Sequence, residues 1–172
     1  MPSRGSNPSR HPLYSAEQRR RRDASRWTLV QGILAPAQFV VFLISLVLVL
    51  HVLLTGTGAT AATVSIIAKT VFLAAIMITG CLWERDVFGC YLFARPFFWE
   101  DVVSMAVIAL HLAYLAALLS GLVEIRYQMC IALAAYAAYV TNATQFLLKL
   151  RAARRSTGGT DSEYSATLAT QE

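Results

Sequence analysis

Four carboxylates and seven aromatic rings crowd the nineteen residues from Trp83 to Asp101. The segment opens Trp83-Glu84-Arg85-Asp86 and closes Trp99-Glu100-Asp101. Carboxyl groups gathered in an apolar setting divide their roles. One keeps its proton and another releases it, which makes an acid and a base. Flat rings beside them form a floor for a flat apolar ligand. Glu84, Asp86, Glu100 and Asp101 are therefore candidate proton donors and acceptors, and Trp83, Tyr91 and Trp99 are candidate ligand contacts. The competing reading is structural. Trp and Tyr girdle a membrane interface, and the acids are solvated or paired with Arg85 and Arg95.

A second constellation follows the first. On a helix, Glu100, Ser104 and His111 fall within about 40° of one another, with Tyr114 near the same line. His111 lies about 15 Å of helix beyond Asp101. A histidine at that depth in an apolar run either bonds a neighbouring helix or does work. The work would be a proton relay, a hydrogen bond to a ligand, or axial ligation of a metal that a ligand carries. Glu100 and His111 are about 16 Å apart along such a helix, so a direct dyad is excluded. The two could still act at different points of one bound ligand. Ser104 and His111 are thus candidate ligand contacts.

Other polar residues are less specific. Asn142 and Gln145 lie within about 11 Å of the end of the last apolar run. Helix-to-helix hydrogen bonding accounts for both, and Asn142 is also a candidate ligand contact. Asn142-Ala-Thr144 matches a glycosylation pattern but lies inside an apolar run and is set aside. Tyr136 and Tyr139 either pack or donate hydrogen bonds. Lys69 is intramembrane, with a stem long enough to snorkel to the headgroups. His51 reads as interfacial. Cys81, Cys90 and Cys130 show no C-x-x-C spacing and read as small apolar residues with no metal or disulfide role.

The elements that must hold these residues are apolar helices. Of 172 residues, 56% are hydrophobic and only 15% charged, against about 25% charged in a soluble domain. Of the 25 charges, nine fall in residues 1–26 and six in 151–172, which leaves ten for residues 27–150. Ten charges cannot cover the surface of a soluble globule that size. A soluble enzyme, a nucleic-acid-binding domain and a disulfide-rich module are excluded. A cleavable signal is not expected, because the first 26 residues are polar and the apolar run after them is too long.

Four runs reach the roughly 20 residues that a bilayer core requires. Trp27–Leu54 holds the first, with regular helix expected after Pro36. The second runs from near Ala61 to Trp83, and Thr55-Gly56-Thr57-Gly58 marks the turn between them. The third and fourth lie between Asp101 and Glu124 and between Arg126 and Lys149, with 22 uncharged residues in each. They form an antiparallel hairpin. Small residues along the last span, Ala132, Ala134, Ala135, Ala137, Ala138 and Ala143, permit close packing. The two tails and the middle loop carry 13 Lys and Arg residues, and the opposite side only Arg126. The positive-inside rule puts both termini in the cytoplasm. The expected fold is an all-α integral membrane protein: a four-transmembrane-helix bundle with an aromatic, carboxylate-rich cytoplasmic hairpin between helices two and three. Residues 1–26 and 151–172 are expected as cytoplasmic tails, the latter largely disordered, around a single four-span domain, 27–150.

Several blocks are specific beyond hydropathy. They are Trp27-Thr-Leu-Val-Gln-Gly-Ile-Leu-Ala-Pro36-Ala-Gln-Phe39, Trp83-Glu84, Val87-Phe-Gly89, Tyr91-Leu-Phe-Ala94, Phe97-Phe-Trp99-Glu100-Asp101 and Gln145-Phe-Leu-Leu-Lys-Leu-Arg151-Ala-Ala-Arg154. Over about Ser15 to Arg155 the chain resembles the 2-vinyl bacteriochlorophyllide hydratase family. The resemblance implies a hydro-lyase of bacteriochlorophyll synthesis that needs no cofactor. It would add water to the C3-vinyl group of a chlorophyllide-type pigment and leave a 1-hydroxyethyl group. The magnesium would belong to the tetrapyrrole substrate. The setting implied is a bacterial inner, photosynthetic membrane, with other enzymes of that synthesis as partners and no role for nucleic acid. The catalytic set expected from the residues is Glu100, Asp101, Glu84 and Asp86. Two other classes compete: a non-catalytic pigment-binding or photosystem-assembly protein, with His111 on the magnesium, and a small four-span transporter. Against the transporter, no carboxylate lies deep in any span.

Overall fold

The computed structural model describes residues 14–169. Residues 1–13 and 170–172, parts of the two tails, lie outside the described residues. Five helices follow one another: α1 (Ala16–Ala24), α2 (Arg26–Thr55), α3 (Ala59–Phe88), α4 (Phe98–Ser120) and α5 (Ile125–Ala169). Helices α2, α3, α4 and the Ile125–Lys149 part of α5 are long and apolar enough to cross a membrane. No strand occurs among the described residues.

Most of the surface of these helices faces outward and is apolar. Leu54, Leu119 and Leu122 are more than four-fifths exposed. Lipid is the medium that such a surface requires. Because lipid is as apolar as leucine, the helices are held by packing and by interhelical hydrogen bonds. Phe42, Val49, Ile66, Tyr114, Ala132, Ala135 and Tyr136 form the buried centre. Ala134 and Ala137 face outward instead, so only part of the small-residue stripe does the expected work. Ser45 on α2 bonds both Tyr136 of α5 (2.6 Å) and Ser65 of α3 (2.7 Å). Tyr114 of α4 donates to Thr63 of α3.

Helices α2 and α3 pack along each other, as do α4 and α5, while α3 and α4 touch far less. Glycines in the left-handed conformation, Gly56, Gly89 and Gly121, end α2, α3 and α4. That conformation is open to glycine at no steric cost.

Three boundaries differ from the sequence reading. Helix α2 begins at Arg26, capped by Ser25, and runs through Pro36. Proline removes one backbone bond, whereas breaking the helix in lipid would strand several, so the helix continues. Helix α3 extends past Trp83 to Phe88, and α4 starts at Phe98. All four acids therefore sit on helix ends, and only residues 89–97 form the connection. The basic N-terminal region contains an unexpected element, α1, which Ser15 and Gln18 cap reciprocally. Tyr14, just before α1, is buried against Phe88 and Phe97, so this region packs on the end of α3. Helix α5 runs to Ala169, through the segment read as the C-terminal tail.

Candidate active site

The end of α3 and the start of α4 bring two carboxyl groups together. Glu84 and Asp101 lie within hydrogen-bonding reach of each other, and both are buried. Two neighbouring carboxyl groups can pass a proton between them. Each also fixes the connecting loop. The backbone N–H of Ala94 donates to Glu84 Oε2 (3.1 Å), and that of Phe93 donates to Asp101 Oδ2 (2.6 Å). Phe93 has φ of 61°, an uncommon left-handed conformation for a non-glycine residue. Backbone strain of this kind concentrates at functional sites.

An aromatic cluster packs at the same end of α3. Trp83, Phe88 and Phe97 meet edge-to-face with ring centres under 6 Å apart, Tyr14 stacks on Phe88, and Trp83 Nε1 donates to Thr28 Oγ1 of α2 (3.0 Å). Burial pushes the thiol of Cys90, in the loop, above its ordinary range, and the negative field of Glu84 and Asp101 pushes it further.

Glu100 faces away from this pair toward α5. Lys149 Nζ lies 2.7 Å from both of its carboxylate oxygens, donates to the Pro96 carbonyl, and sits over the Phe97 ring. The pair joins α4 to α5, with the Glu100 side chain 9% exposed and Lys149 24%. Removing one partner of a buried ion pair leaves an unpaired charge. Lys149→Ala should therefore lower stability by about 3 kcal/mol. Glu100→Gln in the same chain should recover part of the loss. Thermal unfolding of the two single variants and the double variant in detergent checks this, and equal loss in the single and double variants would contradict it.

The other acid lies elsewhere. Asp86 accepts from Ser25 Oγ (2.9 Å) on the far side of α3. There it lines an open concavity with Arg26 and Trp27. Trp99 and Tyr91 point outward, 69% and 51% exposed, and Arg85 stacks on and donates to Tyr91. The structure does not bring these three to the carboxyl pair.

The sparse contact between α3 and α4 leaves a groove open to lipid. Its central part is an almost wholly apolar cleft of about 230 Å³, walled by Thr70, Leu73, Met77, Ile108 and Leu112 and by His111. Met77, Cys81 and Glu84 continue the α3 wall at helical spacing up to the carboxyl pair. His111 is 1% exposed. Its Nδ1 lies 2.8 Å from the Val107 carbonyl, one turn back toward Asp101. A carbonyl only accepts, so Nδ1 carries the hydrogen. Nε2 then holds a lone pair, and it has no partner among the described residues. A buried imidazole with a fixed tautomer and a free lone pair is able to accept a hydrogen bond or ligate a metal.

Sequence reasoning missed the surroundings of Lys69. Its side chain does not snorkel. It is wholly buried at the bundle centre, and Nζ sits 3.9 Å from the Tyr139 ring centroid, with Tyr136 and Phe42 further round. The ring faces supply the attraction that the headgroups would have given. Lys69 comes from α3, Phe42 from α2 and both tyrosines from α5, so spacing within one helix could not reveal the cluster. Ser104 and Asn142 do meet, at 2.7 Å, across α4 and α5.

The profile of the 2-vinyl bacteriochlorophyllide hydratase family matches residues 14–152. A 2-vinyl bacteriochlorophyllide hydratase of Rhodobacter capsulatus is 60% identical over 161 residues, covering 94% of each chain. One of Cereibacter sphaeroides is 66% identical over 142 residues, covering 83% of this chain and 88% of its own. No solved structure matches significantly.

Proposed function

The chain belongs to the 2-vinyl bacteriochlorophyllide hydratase family, and we propose that its α3–α4 groove is where the hydration occurs. The enzyme is a hydro-lyase of bacteriochlorophyll synthesis. The observation that carries the assignment of the site is the buried Glu84–Asp101 pair at one end of a lipid-open groove whose wall includes His111.

The substrate is a flat apolar macrocycle with magnesium at its centre and a vinyl group on its edge. It enters sideways from the bilayer, and the same opening lets product pass to other enzymes of the synthesis. His111 Nε2 ligates the substrate's magnesium. Helical side chains lean toward the helix N-terminus, so the His111 ring lies toward Asp101 and shortens the gap to the carboxyl pair. The vinyl edge then points at the pair.

The chemistry needs one acid and one base. Glu84 lies one residue before the last turn of α3, toward the negative end of the helix dipole, and serves as the acid. Asp101 lies in the first turn of α4, where the dipole is positive and favours the carboxylate. Glu84 gives its proton to the terminal vinyl carbon, using the π electrons for the new C–H bond. Positive charge develops on the adjacent carbon, conjugated with the ring and facing the carboxylate. A water oxygen bonds to that carbon, and Asp101 takes the proton the water sheds. One water has been added, and the pair again holds a single proton. The reaction is neither oxidation nor reduction, and the residues in place suffice without a cofactor. Glu100, held by Lys149, supports the field around Asp101.

Hydration removes the vinyl group from conjugation, so the red absorption band of the pigment moves to shorter wavelength. Purified protein in lipid nanodiscs, given a 3-vinyl chlorophyllide, should produce that shift. A bound pigment with an unchanged spectrum would instead support the pigment-carrier reading.

The basic asymmetry of 13 against one orients the chain with both termini and the carboxyl pair on the cytoplasmic side of a bacterial inner membrane. Reporter fusions after Arg155 and near Gly58 should therefore report opposite sides. A periplasmic signal from the fusion at Arg155 would reverse the assignment.

A further inference from the structure

Hydration consumes water, yet the carboxyl pair is buried and stands at the end of an apolar, lipid-open groove. We propose that the α4–α5 seam holds and delivers that water, with Asn142 and Gln145 as its positioning residues. The proposal rests on the hydratase reading above.

Tyr139, Asn142, Gln145 and Lys149 recur every three or four residues and so share one face of α5. Asn142 Nδ2 donates to Ser104 Oγ at 2.7 Å. Its other polar atom, Oδ1, and Gln145 Oε1 are buried and have no partner among the described residues. Two buried acceptors one turn apart need donated hydrogens, and leaving each unmet costs about 1–3 kcal/mol. Water is the ligand that supplies hydrogens to such groups and still accepts from others. The seam also has direction. Lys149, at its end, is partly exposed, which gives solvent an entry. Ser104, at its inner side, lies three residues beyond Asp101, about 4.5 Å of helix. Water held by Asn142 thus stands one turn from the proposed base.

The test uses the full chain in lipid nanodiscs with a 3-vinyl chlorophyllide. Asn142→Leu and Gln145→Leu should each lower turnover at saturating pigment about tenfold, the worth of one ordered hydrogen bond, with KM for the pigment unchanged. Lowering water activity with a membrane-impermeant osmolyte should slow these variants more steeply than the wild type. Asn142→Ser, which restores a small polar group, should recover turnover. Wild-type turnover and water dependence in both leucine variants would overturn the proposal, as would a raised KM with unchanged turnover, which would make the amides pigment contacts. If the leucine variants fail to insert, brief X-ray hydroxyl-radical labelling of the wild type decides. Tyr139, one turn along the same face, should oxidise quickly beside ordered water, and its protection would overturn the proposal. A wild type that binds pigment without converting it would refute the hydratase reading, while labelling at Tyr139 would still report on the water site.

Discussion

Asp101→Asn and Glu84→Gln should each lower turnover by about 10²–10⁴-fold while the protein still inserts and binds pigment. That range is what a positioned general acid or base typically contributes. Both substitutions keep size and hydrogen-bonding shape, and both amides can still accept the loop N–H bonds from Phe93 and Ala94. Loop geometry is therefore retained, and the loss reports proton transfer. Glu100→Gln should cost less, because Glu100 is engaged with Lys149 and not with Glu84. Single-turnover measurements with saturating pigment separate these outcomes. Turnover near wild type in both Asp101→Asn and Glu84→Gln would reduce the pair to a clamp on the loop. A larger loss in Glu100→Gln than in either would move the chemistry to the α4–α5 side.

His111→Ala should show the opposite pattern, with affinity falling at least about tenfold, or 1.4 kcal/mol, and turnover at saturation changing much less. The fixed tautomer sharpens this expectation. With Nδ1 committed to Val107, the lone pair on Nε2 is what His111 offers. If that lone pair ligates magnesium, a demetallated pigment should bind wild-type protein as weakly as the magnesium pigment binds His111→Ala. It should also bind both proteins equally. Titration of the two pigments against the two proteins forms a cycle that isolates the ligation. If demetallation and His111→Ala weakened binding additively, the histidine would act on another part of the pigment. If His111→Ala abolished turnover with affinity unchanged, His111 would belong to the proton transfers.

The four spans were legible because a bilayer imposes length and apolarity on each helix separately. Their ends were less so. Trp83-Glu84-Arg85-Asp86 reads as a helix exit, yet α3 continues to Phe88 because buried acids can stay helical when the loop N–H groups bond to them. The acids themselves were legible by type and proximity, but their pairing was not. Glu100 shares a helix face with Ser104 and His111, which favoured it from sequence. Only the position of Lys149, 49 residues away, shows that Glu100 is occupied. Glu84 and Asp101 meet through a strained turn at Phe93, and no residue pattern announces a left-handed phenylalanine. Lys69 was legible as an oddity. Its cage of Phe42, Tyr136 and Tyr139 comes from α2 and α5 and depends on tertiary packing.

On the proposed mechanism this chain adds water to a vinyl group by means of Glu84 and Asp101. The most direct measurement is mass spectrometry of a 3-vinyl chlorophyllide after incubation in heavy-oxygen water with wild-type protein and with Asp101→Asn. The wild-type product should gain one molecule of water bearing the heavy oxygen, while the pigment with Asp101→Asn should be recovered almost unchanged though bound. Pigment bound but unaltered by the wild type, or equal label in both products, would contradict it.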